Sequence, residues 1–244
     1  MYDLIADNYS QIFPVDIETV EFIDSYLHKN NAKSILDIGC ATGDLAVSLS
    51  SKGYSVSGID LDTKMIEIAK SKVNNTSLSF EHKNMLMLDR NAKYDCVLCL
   101  GNTLPHVSSW TKLNQFINLL YSILNRNGVL IIQILNYDKI LQDKNIEFQP
   151  KESNDFVFTR KYKNINIDSI MFEIEIYNKK NLEKHIDSTK LLPIQRMKLI
   201  DSILSNGFEE AKVFSDYNGK DASENDYYNV YVANKRKNLT TAST

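Results

Sequence analysis

The chain predicts an α/β fold, with a mostly parallel sheet flanked by helices and an antiparallel β insert after the fifth strand. Three observations carry that expectation. Residues 34–49 pass from a short apolar β run through a glycine turn into helical spacing. Strand-like apolar runs then alternate with helices of 3.6-residue spacing as far as residue 135, the order of a parallel sheet. Across residues 156–176 the pattern changes to alternation with a period of two, which means antiparallel strands.

Size and composition narrow the class. The 244 residues, 43% hydrophobic and 24% charged, suffice for one α/β domain with a large core. Lysine and arginine number 28 against 31 acids, and the net charge of −3 argues against a broad nucleic-acid surface. No apolar run approaches the roughly 20 residues of a membrane span, and no signal peptide opens the chain. Three cysteines without a secretory context fit a reducing cytoplasm.

In chain order, Tyr2, Tyr9, Ile12 and Phe13 precede Pro14, and Asp16 is an N-cap for a helix with the face Ile17, Val20, Ile23 and Leu27. Ile35, Leu36 and Ile38 form the first strand, interrupted by Asp37. A turn through Gly39, Cys40, Ala41, Thr42 and Gly43 leads to a helix whose first apolar pair is Leu45 and Leu49. Free N–H groups and the helix dipole make such a start a place for a negatively charged ligand group. The second strand, residues 54–59, ends in Asp60, an acid placed to accept hydrogen bonds from both ribose hydroxyls of a nucleoside. Met65, Ile66 and Ala69 stripe the next helix, and a third strand at residues 78–82 leads into Asn84 and Met85. Residues 95–100 form a fourth strand. Cys96 and Cys99 spell C-x-x-C there, but a strand sends positions three apart to opposite faces, so they read as core. The loop 101–107, GNTLPHV, projects Asn102, Thr103 and His106 beyond the sheet's C-terminal edge, where ligands of open α/β sheets lie.

A helix with Leu113, Phe116, Ile117, Leu120 and Leu124 on one face follows, then a turn at Asn127-Gly128 and a fifth strand at residues 129–135. Asn136-Tyr137-Asp138 stands at its end. The insert, residues 143–192, carries alternating runs at 156–162 and 170–176 and a third strand around 182–186. Met197, Ile200, Ile203 and Leu204 mark a helix closed by Asn206-Gly207. Two last strands, near 211–215 and 227–233, form an edge hairpin around a polar, mobile connection. Residues 235–244 read as a solvated tail.

The motif D-x-G-x-x-x-G at 37–43 resembles motif I of class I S-adenosylmethionine (SAM) dependent methyltransferases. Glycine stands more often in that family where this chain has Ala41. A nicotinamide reading needs GxGxxG, and Asp44 replaces the third glycine. CLGNTLPH with LNYDKIL is similar to the glycine N-methyltransferase branch, and the likeness covers roughly residues 1–142. The resemblance implies a Rossmann-like, seven-stranded sheet in a single methyltransferase domain over residues 1–244, with residues 1–30 as lid helices. It implies cofactor contacts from Tyr9, Asp37, Gly39, Cys40, Ala41 and Gly43, from Asp60, Leu61 and Met65, and from Asn84, Met85, Leu100 and Gly101. The product is then S-adenosylhomocysteine (SAH).

Methyl transfer to a small-molecule acceptor is expected, nitrogen preferred to oxygen, by in-line positioning without covalent catalysis. No metal is required. His106 is a candidate base, or a histidine bonding its own loop. Tyr137, Asn102, Asn136 and Tyr2 orient the substrate or stabilise their own turns, and Arg160 grips a carboxylate or lies on the surface. Methylation of RNA or protein, and a SAM-binding module without catalysis, remain the alternatives. A monomer or homodimer without membrane or nucleic-acid partners is expected.

Overall fold

The computed structural model describes residues 3–146 and 148–235. Tyr2 and the tail beyond Lys235 lie outside the described residues. A 3-10 turn, Asp3–Asn8, opens the chain, followed by α1 (Tyr9–Ile12) and α2 (Ile17–Lys29). Strands and helices then alternate: β1 (Ser34–Ile38), α3 (Asp44–Ser51), β2 (Ser55–Asp60), α4 (Thr63–Ser71), β3 (Leu78–His82), β4 (Tyr94–Cys99), α5 (Trp110–Ile123), β5 (Leu124–Leu135) and α6 (Tyr137–Asp143). The insert supplies β6 (Lys151–Glu152), β7 (Phe156–Lys163), β8 (Ile170–Asn178) and β9 (Lys184–Leu191). α7 (Arg196–Ser205), β10 (Phe208–Phe214) and β11 (Tyr228–Lys235) complete it.

The seven-stranded sheet has the order β10-β11-β5-β4-β1-β2-β3. β1 pairs in parallel with both β2 and β4, so the winding reverses beside it. That reversal opens a crevice at the C-terminal ends of β1 and β4. β11 enters antiparallel beside β5, leaving β10 at the edge.

Both faces of the sheet are covered, and the strands alternate between them. Leu36, Ile38, Val97 and Cys99 pack with Leu113, Phe116 and Ile117 of α5 and Leu199 and Ile203 of α7. Ile35, Val56, Cys96 and Leu98 pack with Val20, Ile23 and Leu27 of α2, Leu49 of α3 and Ile66 of α4. Each fully buried Leu or Ile contributes about 1.5–3 kcal/mol of transfer free energy. The expected split of Cys96 and Cys99 between faces is thus observed, and all three cysteines are buried and unpaired.

The structure corrects several boundaries. β5 begins at Leu124 and not at residue 129, because Leu124 pairs with Tyr94 before the chain detours through Asn127 (φ 62°) and rejoins at Val129 opposite Cys96. Leu124 therefore leaves the α5 stripe. On α7 the buried face is Leu199 and Ile203, while Met197 is 64% exposed. On α2, Ile17 is exposed and Phe22 takes its place in the core. The third insert strand starts at Lys184, since the turn extends to an exposed Leu182 with φ 61°. The connection 216–227 is tied down rather than loose: Asn136 Nδ2 donates to the carbonyls of Glu224 and Asp226, at 2.9 and 3.0 Å. Lys235 belongs to β11, where its Nζ donates to the Tyr121 and Leu124 carbonyls at 2.7 Å each, compensating the dipole at the end of α5.

The insert folds as a four-stranded antiparallel sheet, β6-β7-β8-β9. Ile174, Ile176, Phe158 and Leu191 of one face bury against Ile5 and Ile12 of the N-terminal segment.

Candidate active site

The backbone builds the first wall. After Ile38 the chain turns left-handed at Gly39 (φ 76°), Ala41 (φ 47°) and Gly43 (φ 78°). A Cβ on Gly39 would collide with the Thr103 side chain, and one on Gly43 with the Phe80 ring. Both positions therefore need glycine for space as well as conformation. Ala41 has no such exemption and holds its left-handed turn at a cost of roughly 1–2 kcal/mol. Gly39 and Cys40 donate their N–H groups to the Ile59 carbonyl, at 2.8 and 3.0 Å. Asp44, the first residue of α3, accepts from Ser10 Oγ (2.6 Å) and Thr42 Oγ1 (2.7 Å) and pairs with Lys72 Nζ at 2.7 Å. Those bonds hold Asp44 ionised well into the acid range despite its partial burial. The Ser10 bond latches the N-terminal segment to the loop.

The second wall is acidic. Asp60 accepts from the backbone N–H of Ala41 and of Asp62, each at 2.9 Å on a different oxygen. Each oxygen keeps a lone pair for a hydroxyl. Asp37 is 3% exposed, lies immediately behind the loop, and receives no hydrogen bond among the described residues. Burial, with Asp60 adding its charge, pushes the Asp37 carboxyl up to about 7. Burial likewise raises Asp60. A buried carboxyl without hydrogen bonds, beside a second acid held by backbone N–H groups, favours a cation nearby.

Between these walls lies a cavity of about 430 Å³, within the range of small-ligand sites. The structure brings Tyr9, Gly39, Ala41, Asp60, Leu61 and Met65 together on its lining, with Asn84, Met85, Gly101 and His106. Asn84 Oδ1 also accepts from the Leu86 N–H at 2.9 Å, so it caps its own turn while facing the cavity. Asp37, Cys40, Gly43 and Leu100 stand behind the lining, not on it. Thr103 reaches the lining as the sequence reading of its loop expects, while Lys83 and Thr189 join it unannounced. Thr103 lay within the GNTLPH loop; Thr189 required knowing how β9 folds back.

The loop after β4 is fixed by left-handed turns at Gly101 (φ 63°) and Asn102 (φ 62°). Asn102 Oδ1 accepts from the Leu135 N–H at 3.0 Å, and its Nδ2 donates to the hydroxyls of Tyr137 (3.0 Å) and Tyr162 (3.2 Å). Tyr137 is 1% exposed and away from the cavity. Asn136 is likewise buried, and its Oδ1 caps α6 through the Lys139 N–H. His106 opens onto the cavity, and no protein hydrogen bond reaches its ring. The crowded wall disfavours its charged form and lowers its pKa below the usual 6.5. The shift favours the neutral ring, the form that can accept a proton. Arg160 lies on the inner side of the insert, its guanidinium over Phe148 at 4.7 Å.

Residues 35–128 match the family model described as a methyltransferase domain. A glycine/sarcosine N-methyltransferase of Parasynechococcus marenigrum is 24% identical over 220 residues, 88% of this chain and 76% of that protein. A ubiquinone biosynthesis O-methyltransferase of Rickettsia akari is 29% identical over 157 residues, 60% and 61% of the two chains. The crystal structure of a SAM-dependent methyltransferase from Clostridium acetobutylicum superposes with a TM-score of 0.82 at 17% identity, over 97% of this chain and 99% of that one.

The chain is similar to the class I SAM-dependent methyltransferases, in fold over its whole length and in sequence most clearly over the matched residues 35–128.

For other curated relatives the matched stretch spans about half their length, 49% and 48%. The cofactor of these methyltransferases is SAM, and the buried Asp37 with Asp60 beside it fits a ligand carrying sulfonium and ammonium charges. No metal-holding cluster of His, Cys, Asp and Glu occurs among the described residues, and none of their helices is long and apolar enough to cross a membrane.

Proposed function

We propose that the chain methylates a small-molecule acceptor, nitrogen in preference to oxygen. The observation that carries this reading is His106, an unbonded imidazole with its neutral form favoured, on the same cavity as Asp60 and the Gly39 turn. SAM, when bound, supplies an activated methyl group together with its own leaving group. The residues of this chain then have three tasks. Asp60 holds the ribose hydroxyls, Asp37 faces the amino-acid end from behind the loop, and Asn84, Leu61 and Met85 border the base. The unbonded ring nitrogen of His106 takes the proton that an amine acceptor must lose. The N-terminal segment acts as a lid, with Tyr9 on the cavity and Asp7 tied to Lys64 at 2.6 Å, and the insert roofs the acceptor side through Thr189.

Holding the reactants in line can lower a barrier by about 7–11 kcal/mol, and a positioned base adds about 10²–10⁴-fold. Asn102 and Tyr137 serve as positioning residues, since their hydrogen bonds set the loop that carries His106. The relatives named for glycine and sarcosine support an amine acceptor, and the O-methyltransferase relative supports a hydroxyl. Calorimetry with SAM and SAH, followed by tritiated-methyl transfer to a deproteinised metabolite extract, tests the proposal. Saturable SAM binding with label appearing in a small amine is expected; binding without any labelled product would overturn it.

A further inference from the structure

The insert sheet holds two cations, Arg160 and Lys151, that no carboxylate among the described residues pairs with. β7 pairs with β8 so that Phe158, Arg160 and Tyr162 stand across from Ile176, Ile174 and Phe172, all on the buried face of the insert. Arg160 is therefore an inward residue. Its Nε is buried without a hydrogen-bond partner, and among the described residues no carboxylate forms an ion pair with it. Its guanidinium carbon lies 4.7 Å from the Phe148 centroid, 5.6 Å from Phe13 and 6.0 Å from Phe158. Lys151 shares the same ring, with its Nζ 4.9 Å from the centre of Phe13. It too makes no ion pair among the described residues, and burial together with the Arg160 charge lowers its pKa. Asp16 tugs on Lys151 electrostatically from an exposed position without pairing. Aromatic faces offset part of the cost of a buried cation, but two neighbouring cations repel each other unless an anion comes between them.

The position fits an acceptor. Phe13 contacts Tyr9 of the cofactor cavity at 4.9 Å between centroids. Phe148 leads to Tyr227, 6.4 Å away, on a second hollow of about 400 Å³ beside α6. Tyr162, next inward neighbour of Arg160 on β7, is bonded to the loop that carries His106.

The geometry points to an oxyanion subsite formed by Arg160 and Lys151, so that the methyl acceptor carries a carboxylate or a phosphate group. The guanidinium fork suits either group. This inference rests on the proposed function, yet it can fail separately. The SAH-loaded full chain is titrated with inorganic phosphate and, in parallel, with acetate, at constant ionic strength. One of the two anions is expected to saturate a single site, and Arg160→Gln to weaken it roughly tenfold or more. Arg160→Lys should retain part of the affinity and Lys151→Gln should lose less. The SAH affinity of all three variants should stay within about twofold, as expected for distant sites. Preference for phosphate assigns a phosphorylated acceptor, and preference for acetate a carboxylic one. Absence of saturable binding by either anion, or binding untouched in Arg160→Gln, overturns the subsite. Failure to bind SAH would strike the proposed function instead, and titration of the unloaded chain would still decide the subsite.

Discussion

The two ends of the site are built in opposite ways. At the cofactor end, backbone does the positioning: the Ile59 carbonyl receives Gly39 and Cys40, and Asp60 receives Ala41 and Asp62. The charges left over there are acids, Asp37 and Asp60. At the end proposed for the acceptor, side chains do the positioning, through Asn102, Tyr137 and Tyr162, and the charges without a carboxylate partner among the described residues are cations, Arg160 and Lys151. Buried charge is costly without a partner. The charge at each end matches the proposed occupant, a cationic cofactor on one side and, if the oxyanion subsite holds, an anionic acceptor on the other.

The largest effect expected from breaking this arrangement lies between the two ends. His106→Gln should lower methyl transfer by about 10²–10⁴-fold, while SAM affinity measured by calorimetry stays near that of the parent chain. Loss of SAM binding in that variant would show that His106 serves the cofactor end. Asp60→Ala should act the other way, weakening SAM by roughly 10–100-fold through lost hydrogen bonds to a charged group. Unchanged binding there would remove the acidic wall from the account.

The two ends were also unequally legible in the sequence. β3 falls at residues 78–82 as expected, and the Gly39 loop, Asp60 and Asn84 converge on the cavity, because the turns that place them are local and the glycines are sterically required. Arg160 was ambiguous for a physical reason. Period two says that Phe158, Arg160 and Tyr162 share a face, but which face is buried depends on register with β8 and on the N-terminal segment packing against it. Thr189 was missed on the same ground. The α7 stripe went astray because Met197 is apolar yet exposed, and an apolar residue outside is no anomaly. Lys235 was read as tail because nothing local announces the Tyr121 and Leu124 carbonyls, more than a hundred residues earlier in the chain.

A pH titration sharpens the contrast from the acidic side. With the Asp37 carboxyl pushed up to about 7 from an ordinary 3.8, the SAM-free fold holds a proton there that the unfolded chain releases. The stability of the SAM-free protein from this group therefore falls as pH rises from near 4 to about 7. A cationic cofactor favours the ionised carboxylate. SAM affinity should rise by about tenfold per pH unit up to pH 7, with about one proton released on binding below it. Calorimetry in buffers of different ionisation enthalpy reads that proton directly. Asp37→Asn should flatten the profile, and an unaltered profile would place the titration elsewhere.

The smallest expected effect tests whether the backbone alone shapes the cofactor end. Ala41 occupies a left-handed conformation (φ 47°) between two glycines that do the same for steric reasons. Its N–H is the donor to Asp60, so its strain is retained in exchange for a carboxylate fixed in orientation. Ala41→Gly removes the Cβ penalty of roughly 1–2 kcal/mol, but it loosens the unfolded chain by about 0.4–1 kcal/mol. Thermal unfolding should therefore show a net gain between zero and about 1.6 kcal/mol. SAM affinity should stay the same, because the donor and the acid both remain. A clear loss of stability would mean that the Ala41 methyl group packs as part of the wall, and that side chains as well as backbone build the cofactor end.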